Sequence, residues 1–203
     1  MTTTNDVLLY YPNLIGYARF LFMLISFATA TTNWKLSILS YVLAFVGDVV
    51  DGYVARAFNQ CSKFGGVLDM VTDRVSTCGL LVVVSHLYPS YALYFILLIV
   101  LDITSHWFHV MSVSAHHKSK EALEHRNALL QWYYSIYPLF GYCCVGTELF
   151  YILLYVLHHH PHPLIHQICF FGCLPACILK QLVNVVQLSS AAHAIAEIDT
   201  HKD

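Results

Sequence analysis

Six long apolar segments follow one another along this chain, and short polar stretches separate them. Each segment is close to the length of about 20 residues that a helix needs to cross the apolar part of a bilayer. The pattern predicts an all-α, polytopic membrane protein with six transmembrane helices, organised as a single domain over residues 1–203. The predicted spans lie near residues 14–30, 34–58, 65–86, 90–112, 129–157 and 165–188.

The short segment before the first predicted span mixes polar and apolar residues. Pro12 marks the start of that span, because proline fits the first turn of a helix and disfavours helix in the residue before it. Residues 5–11 are therefore expected to form a short amphipathic helix in the membrane interface.

The composition agrees with a membrane setting. Of the 203 residues, 58% are hydrophobic and 11% are charged, whereas a soluble domain carries about 25% charged residues. The formal net charge of -2 and the lack of a basic arm argue against a nucleic-acid partner. The seven cysteines lie mostly in apolar segments, where we expect them to pack as small hydrophobic residues rather than to form disulfides.

The lysines and arginines of the loops predict the orientation in the membrane, because such residues are enriched in cytosolic loops. If the N-terminus is cytosolic, the loops on the opposite side carry only Lys35. The cytosolic side then carries Arg56, Lys63, Lys118, Lys120, Arg126 and Lys202. Both termini are therefore predicted to be cytosolic.

Two pairs of aspartates mark the junction of the second and third predicted spans. Asp48 and Asp51 are three residues apart, and Asp69 and Asp73 are four apart. At these spacings both members of a pair project from one side of a helix. An ionised aspartate at mid-bilayer depth costs roughly 2.5 to 3.5 kcal/mol. We therefore expect the four acids to face each other near the cytosolic side and to bind cations.

Clustered carboxylates without interleaved histidine or cysteine suit hard ions such as Mg²⁺ or Mn²⁺, whose shell is commonly completed by substrate phosphates. Arg56 shares a helical face with Asp48 and Asp51 and offers a guanidinium to a phosphate. Metal ions held by acids beside a basic residue indicate displacement at phosphorus. The alternative interpretation is that the acids form ordinary helix-end ion pairs with Arg56, Lys63 and Arg74.

The acids belong to a longer pattern. It reads Asp48-x-x-Asp51-Gly52-x-x-Ala55-Arg56, then eight residues, then Gly65-x-x-x-Asp69-x-x-x-Asp73. With all eight fixed positions present, the chain resembles the CDP-alcohol phosphotransferases, and its six-span layout is similar to the fold of that family.

The resemblance implies a reaction in which an alcohol hydroxyl attacks the phosphorus that bears diacylglycerol in CDP-diacylglycerol, and CMP leaves. It implies two divalent ions, Mg²⁺ or Mn²⁺, and a catalytic base at Asp73. The implied metal ligands are Asp48, Asp51, Asp69 and Asp73, of which Asp48 and Asp69 bridge both ions. The implied contacts to CDP-diacylglycerol are Gly52, Arg56 and Ser62.

Residues 12–19, 55–60 and 68–74 are most similar to one branch of this family, the eukaryotic phosphatidylinositol synthases. The likeness implies myo-inositol as acceptor, a homodimer in the lipid bilayer, and a location in the endoplasmic reticulum or a related endomembrane. The chain departs from that branch at residues 127–134, where it lacks a proline and an arginine. This departure bears on the acceptor and leaves the acids untouched.

Two other functions remain open from the sequence. One keeps the chemistry but uses another acceptor, such as glycerol phosphate, serine, a choline-type alcohol or inositol phosphate. The other is a divalent-cation transporter, since acids within spans also line ion pathways. A transporter predicts acids spread across the depth of the membrane, with some near its midplane.

Two histidine-containing patterns carry weaker signals. The tract at residues 158–162 is predicted to lie in the loop opposite the acids, where we expect solvated side chains rather than a metal site. Asp102, His106 and His109 form a polar stripe on the fourth predicted span. The stripe has two equally weighted interpretations, an acceptor pocket or hydrogen bonds between helices.

Overall fold

The computed structural model of the chain describes residues 3–115 and 128–200. All regular secondary structure in these two ranges is helical. The α-helices are α1 (Thr4–Leu8), α2 (Tyr11–Thr29), α3 (Trp34–Ala57), α4 (Lys63–Leu87), α5 (Ala92–Ala115), α6 (Ala128–Ser135), α7 (Tyr137–His159), α8 (Pro163–Gln167) and α9 (Leu174–Thr200). A 3₁₀ turn, Pro89–Tyr91, precedes α5, and a π-helical segment, Ile168–Cys173, joins α8 to α9.

Four helical segments in the described ranges are long and apolar enough to cross a membrane. They are Trp34–Ala57, Pro89–Val113, Tyr137–His159 and Pro163–Thr200. The predicted all-α class and membrane character are therefore confirmed. The total of six spans stays a prediction, because α2 and α4 are not among these four, and so does the interfacial position of α1.

The chain divides into two compact units, one up to Val83 and one from Val84 onward. In the first unit, α1 is held by a capping box. The Thr3 hydroxyl accepts from the backbone N–H of Asp6, and the Thr3 backbone N–H donates to the Asp6 carboxylate at 2.7 Å. The latter bond lowers the pKa of Asp6. The capping box thus satisfies the N–H groups of Thr3 and Asp6 at the start of α1.

Two amide side chains fix the start of α2. The Asn13 amide donates to the carbonyl of Val7 in α1, and Asn13 is almost completely buried. The Gln60 side-chain oxygen, in the connection between α3 and α4, accepts from the backbone N–H of Tyr11 at 2.9 Å. α1 and the α3–α4 connection are therefore both tied to the first turn of α2.

Glycines at two points let α2 approach α4 closely. A Cβ at Gly16 would lie 2.8 Å from a methyl carbon of Leu68 in α4, and a Cβ at Gly79 would lie 2.3 Å from the ring of Phe27. Small residues at such points are typical of helix packing in membranes, where backbones approach closely. α2 thus packs tightly along α4.

The second unit differs from the prediction at residues 129–157, where two helices replace one. Ile136 leaves the helical conformation between α6 and α7, with φ -98° and ψ 83°. Pro138 lies in the first turn of α7, where its missing N–H costs nothing. In the core of this unit Tyr133 from α6 is fully buried with Cys143 from α7 and Val183 from α9.

The last helical stretch is longer than the predicted span of residues 165–188 and continues to Thr200. Its π-helical segment and α9 bury Cys169, Cys173 and Cys177. All cysteines in the described ranges are free thiols, as the sequence predicts. Gly146 in α7 permits close contact with α9, because a Cβ there would lie 2.6 Å from that of Ala176.

Candidate active site

The four signature aspartates converge where α3 ends and α4 begins. Asp48 and Asp51 lie in the final turns of α3, and Asp69 and Asp73 lie in the first turns of α4. Only residues 58–62 connect the two helices, and Asn59 adopts a left-handed conformation there, with φ 53°. Carboxylate oxygens of Asp48, Asp51 and Asp69 lie within 4.8 Å of one another.

A single arginine from α2 lies among these acids. Arg19 Nη1 is 2.5 Å from Asp51 Oδ2 and 2.8 Å from Asp69 Oδ1. Arg19 Nη2 is 2.7 Å from Asp48 Oδ1 and 2.6 Å from Asp73 Oδ1. Arg19 is only 3% exposed. We refer to Arg19 and the four aspartates together as the acid cluster.

The aliphatic part of Arg19 passes directly over a glycine of α3. A Cβ at Gly47 would lie 2.6 Å from Arg19 Cγ and 3.2 Å from Arg19 Cδ. Contacts below 3.0 Å require something to shift, so the arginine follows this path only because residue 47 has no side chain. Gly47 is therefore part of what positions the guanidinium.

A second basic residue lies at the edge of the acid cluster. Arg56 is exposed, and its guanidinium lies over Gly52, since a Cβ there would be 3.6 Å from Arg56 Nη1. The half-buried Gly52 and the exposed Arg56 are therefore neighbours on the last two turns of α3. An exposed guanidinium above a bare stretch of backbone suits contact with a phosphate group.

Ser62 has a structural contact that the sequence did not indicate. Its hydroxyl oxygen accepts from the backbone N–H of Gly65 at 3.0 Å, which satisfies one of the free N–H groups at the start of α4. A Cβ at Gly65 would lie 2.9 Å from the amide oxygen of Asn13 and 3.2 Å from the Ser62 hydroxyl. The glycine of the signature thus makes room for both polar groups.

The acid cluster has the donor chemistry of a hard divalent cation. All the converging ligand atoms are carboxylate oxygens, which Mg²⁺ and Mn²⁺ prefer. Four carboxylates surround one guanidinium, so their combined negative charge exceeds the single positive charge of Arg19. Asp69 and Asp48 are 47% and 36% exposed in their side chains, which leaves the cluster accessible from outside. The residues present therefore fit a divalent metal site.

The alternative interpretation of simple helix-end ion pairs omitted the residue that contacts all four acids. That residue is Arg19, which is buried among the aspartates. The helix lengths alone indicate that Arg19 lies at the depth of α3 near Gly47. At 1.5 Å per residue, Arg19 is about 15 Å from the end of α2 and Gly47 is about 20 Å from the start of α3, so the two lie at similar depths in a hairpin.

The weaker signals of the sequence lead to no second metal cluster within the described ranges. His158, His160 and His162 are exposed. In α5, His106 Nδ1 lies 2.8 Å from the backbone oxygen of Asp102 and 3.5 Å from its carboxylate, which are contacts within one helix. Four basic residues of the orientation argument lie outside the described residues, namely Lys118, Lys120, Arg126 and Lys202.

Known proteins resemble this chain over nearly its whole length. Residues 9–160 match the family described as CDP-alcohol phosphatidyltransferase. The chain is 39% identical to a human CDP-diacylglycerol--inositol 3-phosphatidyltransferase, with 96% of this chain and 95% of the human protein covered. The protein of the same name from Drosophila melanogaster is 38% identical, over 98% of this chain and 90% of that protein. The protein of that name from Candida albicans is 36% identical, over 98% of this chain and 87% of that protein. No solved structure matches the chain.

Proposed function

This chain belongs to the CDP-alcohol phosphatidyltransferase family, and on that premise we propose that it makes phosphatidylinositol and CMP from CDP-diacylglycerol and myo-inositol. The observation that carries the proposal is the convergence of the four signature aspartates at the α3–α4 junction. Relatives named for this reaction, with 36 to 39% identity over nearly the full chain, support the acceptor.

The acids Asp48, Asp51, Asp69 and Asp73 would hold two divalent ions, Mg²⁺ or Mn²⁺. When bound, such ions neutralise the diphosphate and the charge that develops on the leaving CMP. The support for this assignment is the all-oxygen donor set and its excess negative charge. Carboxylate ligands of this kind leave the metal able to take up phosphate oxygens.

Asp73 accepts the proton of the attacking inositol hydroxyl in this proposal. Its Oδ1 accepts from Arg19, and its Oδ2 faces Arg74 at 3.7 Å. About a third of the Asp73 side chain is exposed. A general base must be reachable within hydrogen-bond distance of the group from which it takes a proton, and this exposure meets that need.

Gly52, Arg56 and Ser62 contact CDP-diacylglycerol in this proposal. The exposed guanidinium of Arg56 above Gly52 offers a charged donor to the diphosphate. Ser62 can keep its capping bond, because its oxygen accepts from Gly65 while its O–H remains a donor.

The family supports the setting of the enzyme as well. We place it in the endoplasmic reticulum or a related endomembrane, with the acid cluster and both termini facing the cytosol, and as a homodimer. All four acids lie at one helix–helix junction. This grouping favours the transferase over a cation pathway, which needs acids spread across the membrane.

The test supplies the purified chain with CDP-diacylglycerol and one radiolabelled alcohol at a time: myo-inositol, glycerol phosphate, serine or inositol phosphate. We expect labelled lipid and free CMP with myo-inositol, in Mg²⁺ or Mn²⁺ and not in EDTA. Lipid labelled by another alcohol and not by inositol would show that the acceptor is wrong. Metal uptake into liposomes without CMP release would favour the transporter.

A further inference from the structure

The two terminal nitrogens of Arg19 contact every aspartate of the acid cluster. Each terminal nitrogen of a guanidinium carries two hydrogens, and each terminal nitrogen of Arg19 lies within 2.8 Å of two different aspartates. Arg19 donates hydrogen bonds to Asp51, Asp69 and Asp73, and it forms an ion pair with Asp48 at 2.7 Å. Arg19 Nε is buried and has no hydrogen-bond partner among the described residues. The polar contacts of this arginine are thus concentrated on the acids.

The position of Arg19 is built into the packing of the first unit. Its side chain is 4% exposed, and its Cγ lies only 2.6 Å from where a Cβ at Gly47 would be. Four aspartates side by side repel one another, and a buried charge without a partner is strongly destabilising. In the absence of metal, the guanidinium is the group that holds the carboxylates together.

The arginine and a divalent ion draw on the same acids. The carboxylates whose oxygens converge within 4.8 Å belong to Asp48, Asp51 and Asp69, and Arg19 contacts each of them. A strong hydrogen bond from a guanidinium and coordination to a cation both use lone pairs of carboxylate oxygen. A metal ion that enters the acid cluster therefore competes with Arg19.

We infer that Arg19 is a resident counter-ion, which holds the metal ligands in place before metal loading and is displaced from them when divalent ions bind. The inference rests on the metal site of the proposed function. It makes Arg19 a positioning residue, because it acts on the ligands rather than on the substrate. It also means that metal affinity is set by the balance between Arg19 and the metal at the same carboxylates.

The test measures Mn²⁺ binding and thermal unfolding of the full chain in detergent, for wild type and Arg19→Met. Methionine retains the apolar length of the side chain and removes its charge. We expect the dissociation constant for Mn²⁺, followed by the paramagnetic resonance signal of free Mn²⁺, to fall about tenfold or more, since a competing unit charge at these distances is worth at least that factor. We expect the variant to unfold at a lower temperature than wild type in EDTA and to recover in Mn²⁺.

Arg74→Met is the matched control. It also removes an arginine beside the cluster, but Arg74 lies 3.7 Å from Asp73, whereas Arg19 lies within 2.8 Å of all four acids. We expect its Mn²⁺ affinity to change less than about threefold, as for partly exposed ion pairs. Arg19→Lys is the second variant, for use if Arg19→Met does not fold even in Mn²⁺. An ammonium has three donors but lacks the planar fork of a guanidinium. We therefore expect the Mn²⁺ affinity of Arg19→Lys to lie between that of wild type and that of Arg19→Met.

The inference would be overturned if Arg19→Met or Arg19→Lys bound Mn²⁺ no more tightly than wild type does. This result would leave the proposed function intact, provided that wild type releases CMP in a metal-dependent way. A wild type that binds no Mn²⁺ and releases CMP in EDTA would instead remove the metal site of the proposed function, and the inference with it. The two failures are therefore distinguishable by the wild-type protein alone.

Discussion

The four aspartates differ in how much of each carboxylate a substrate can reach. The Asp51 side chain is 10% exposed, whereas those of Asp73, Asp48 and Asp69 are 32%, 36% and 47% exposed. Asp51 is therefore confined to an inward-facing role, as a metal ligand is. Exposure alone does not separate Asp73 from Asp48 and Asp69, and its assignment as base comes from its position in the family signature.

Asp73→Asn tests that assignment at a single residue. The amide cannot accept the hydroxyl proton, and loss of a general base lowers a rate by roughly 10² to 10⁴-fold. We expect CMP release under saturating myo-inositol to fall by at least about 10²-fold. The measurement is the initial rate of CMP formation in detergent with Mn²⁺ present.

Asp199→Asn is the matched control for this substitution. It makes the same change at an exposed aspartate near the end of α9, outside the acid cluster. We expect its rate to equal that of wild type. A rate in Asp73→Asn above a tenth of wild type would contradict the role of Asp73 as base.

At the scale of elements, the start of α4 combines a structural cap with a proposed substrate contact, both at Ser62. Ser62 closes the first turn of α4 through the backbone N–H of Gly65, and Gly65 in turn packs against the Asn13 amide of α2. Asp69 and Asp73 lie one and two turns further along the same helix. The beginning of α4 therefore sets the orientation of two of the four aspartates in the acid cluster.

Ser62→Ala removes the cap and the proposed substrate contact together. Loss of a serine cap costs about 0.5–2 kcal/mol, so we expect a free energy of unfolding lower by about 1 kcal/mol and a higher KM for CDP-diacylglycerol. Ser62→Thr retains the hydroxyl and should restore both. If Ser62→Ala lowers the stability while KM stays at the wild-type value, Ser62 is a cap alone.

The helices show which local features a sequence carries. Apolar runs located α3 and α5 within a few residues, because their length and lack of charge are local properties. The break at Ile136 escaped prediction, since Pro138 is equally compatible with a kink inside a helix and with a new first turn. The extension of α9 to Thr200 was not predicted, because its last residues are largely polar and the spans were located by apolar residues.

At the scale of the whole molecule, every residue to which the proposal assigns a role lies in the unit up to Val83. The sequence predicted the aspartates of this site, since their spacing and chemistry are local. Helix lengths place Arg19 at the depth of Gly47, but the pairing of Arg19 with the acids joins α2 to residues 29 to 54 positions further along the chain and also depends on how the helices are rotated. Contacts between helices depend on rotation and depth, which composition does not encode.

The orientation of the chain in the membrane can be tested at Cys61, which is exposed in the connection between α3 and α4. In sealed vesicles with the cytosolic face outward, we expect a membrane-impermeant maleimide to label Cys61 without permeabilisation. Four of the other cysteines are buried and two are partly buried, so Cys61→Ser should abolish most of the signal.

The opposite loop provides the complementary probe. Pro161 is exposed between α7 and α8, and Pro161→Cys in the Cys61→Ser background should react only after the vesicles are permeabilised. Labelling of Cys61 that requires permeabilisation, with Pro161→Cys reactive from outside, would reverse the predicted orientation.

The missing side chain at Gly47 also has a consequence for inheritance. Any larger residue there collides with the Arg19 side chain, so a lineage that loses the glycine must also shorten or redirect the arginine. A shorter residue at position 19 no longer requires glycine at position 47. The two positions, 28 residues apart in the chain, are therefore expected to change together in evolution, as a covarying pair.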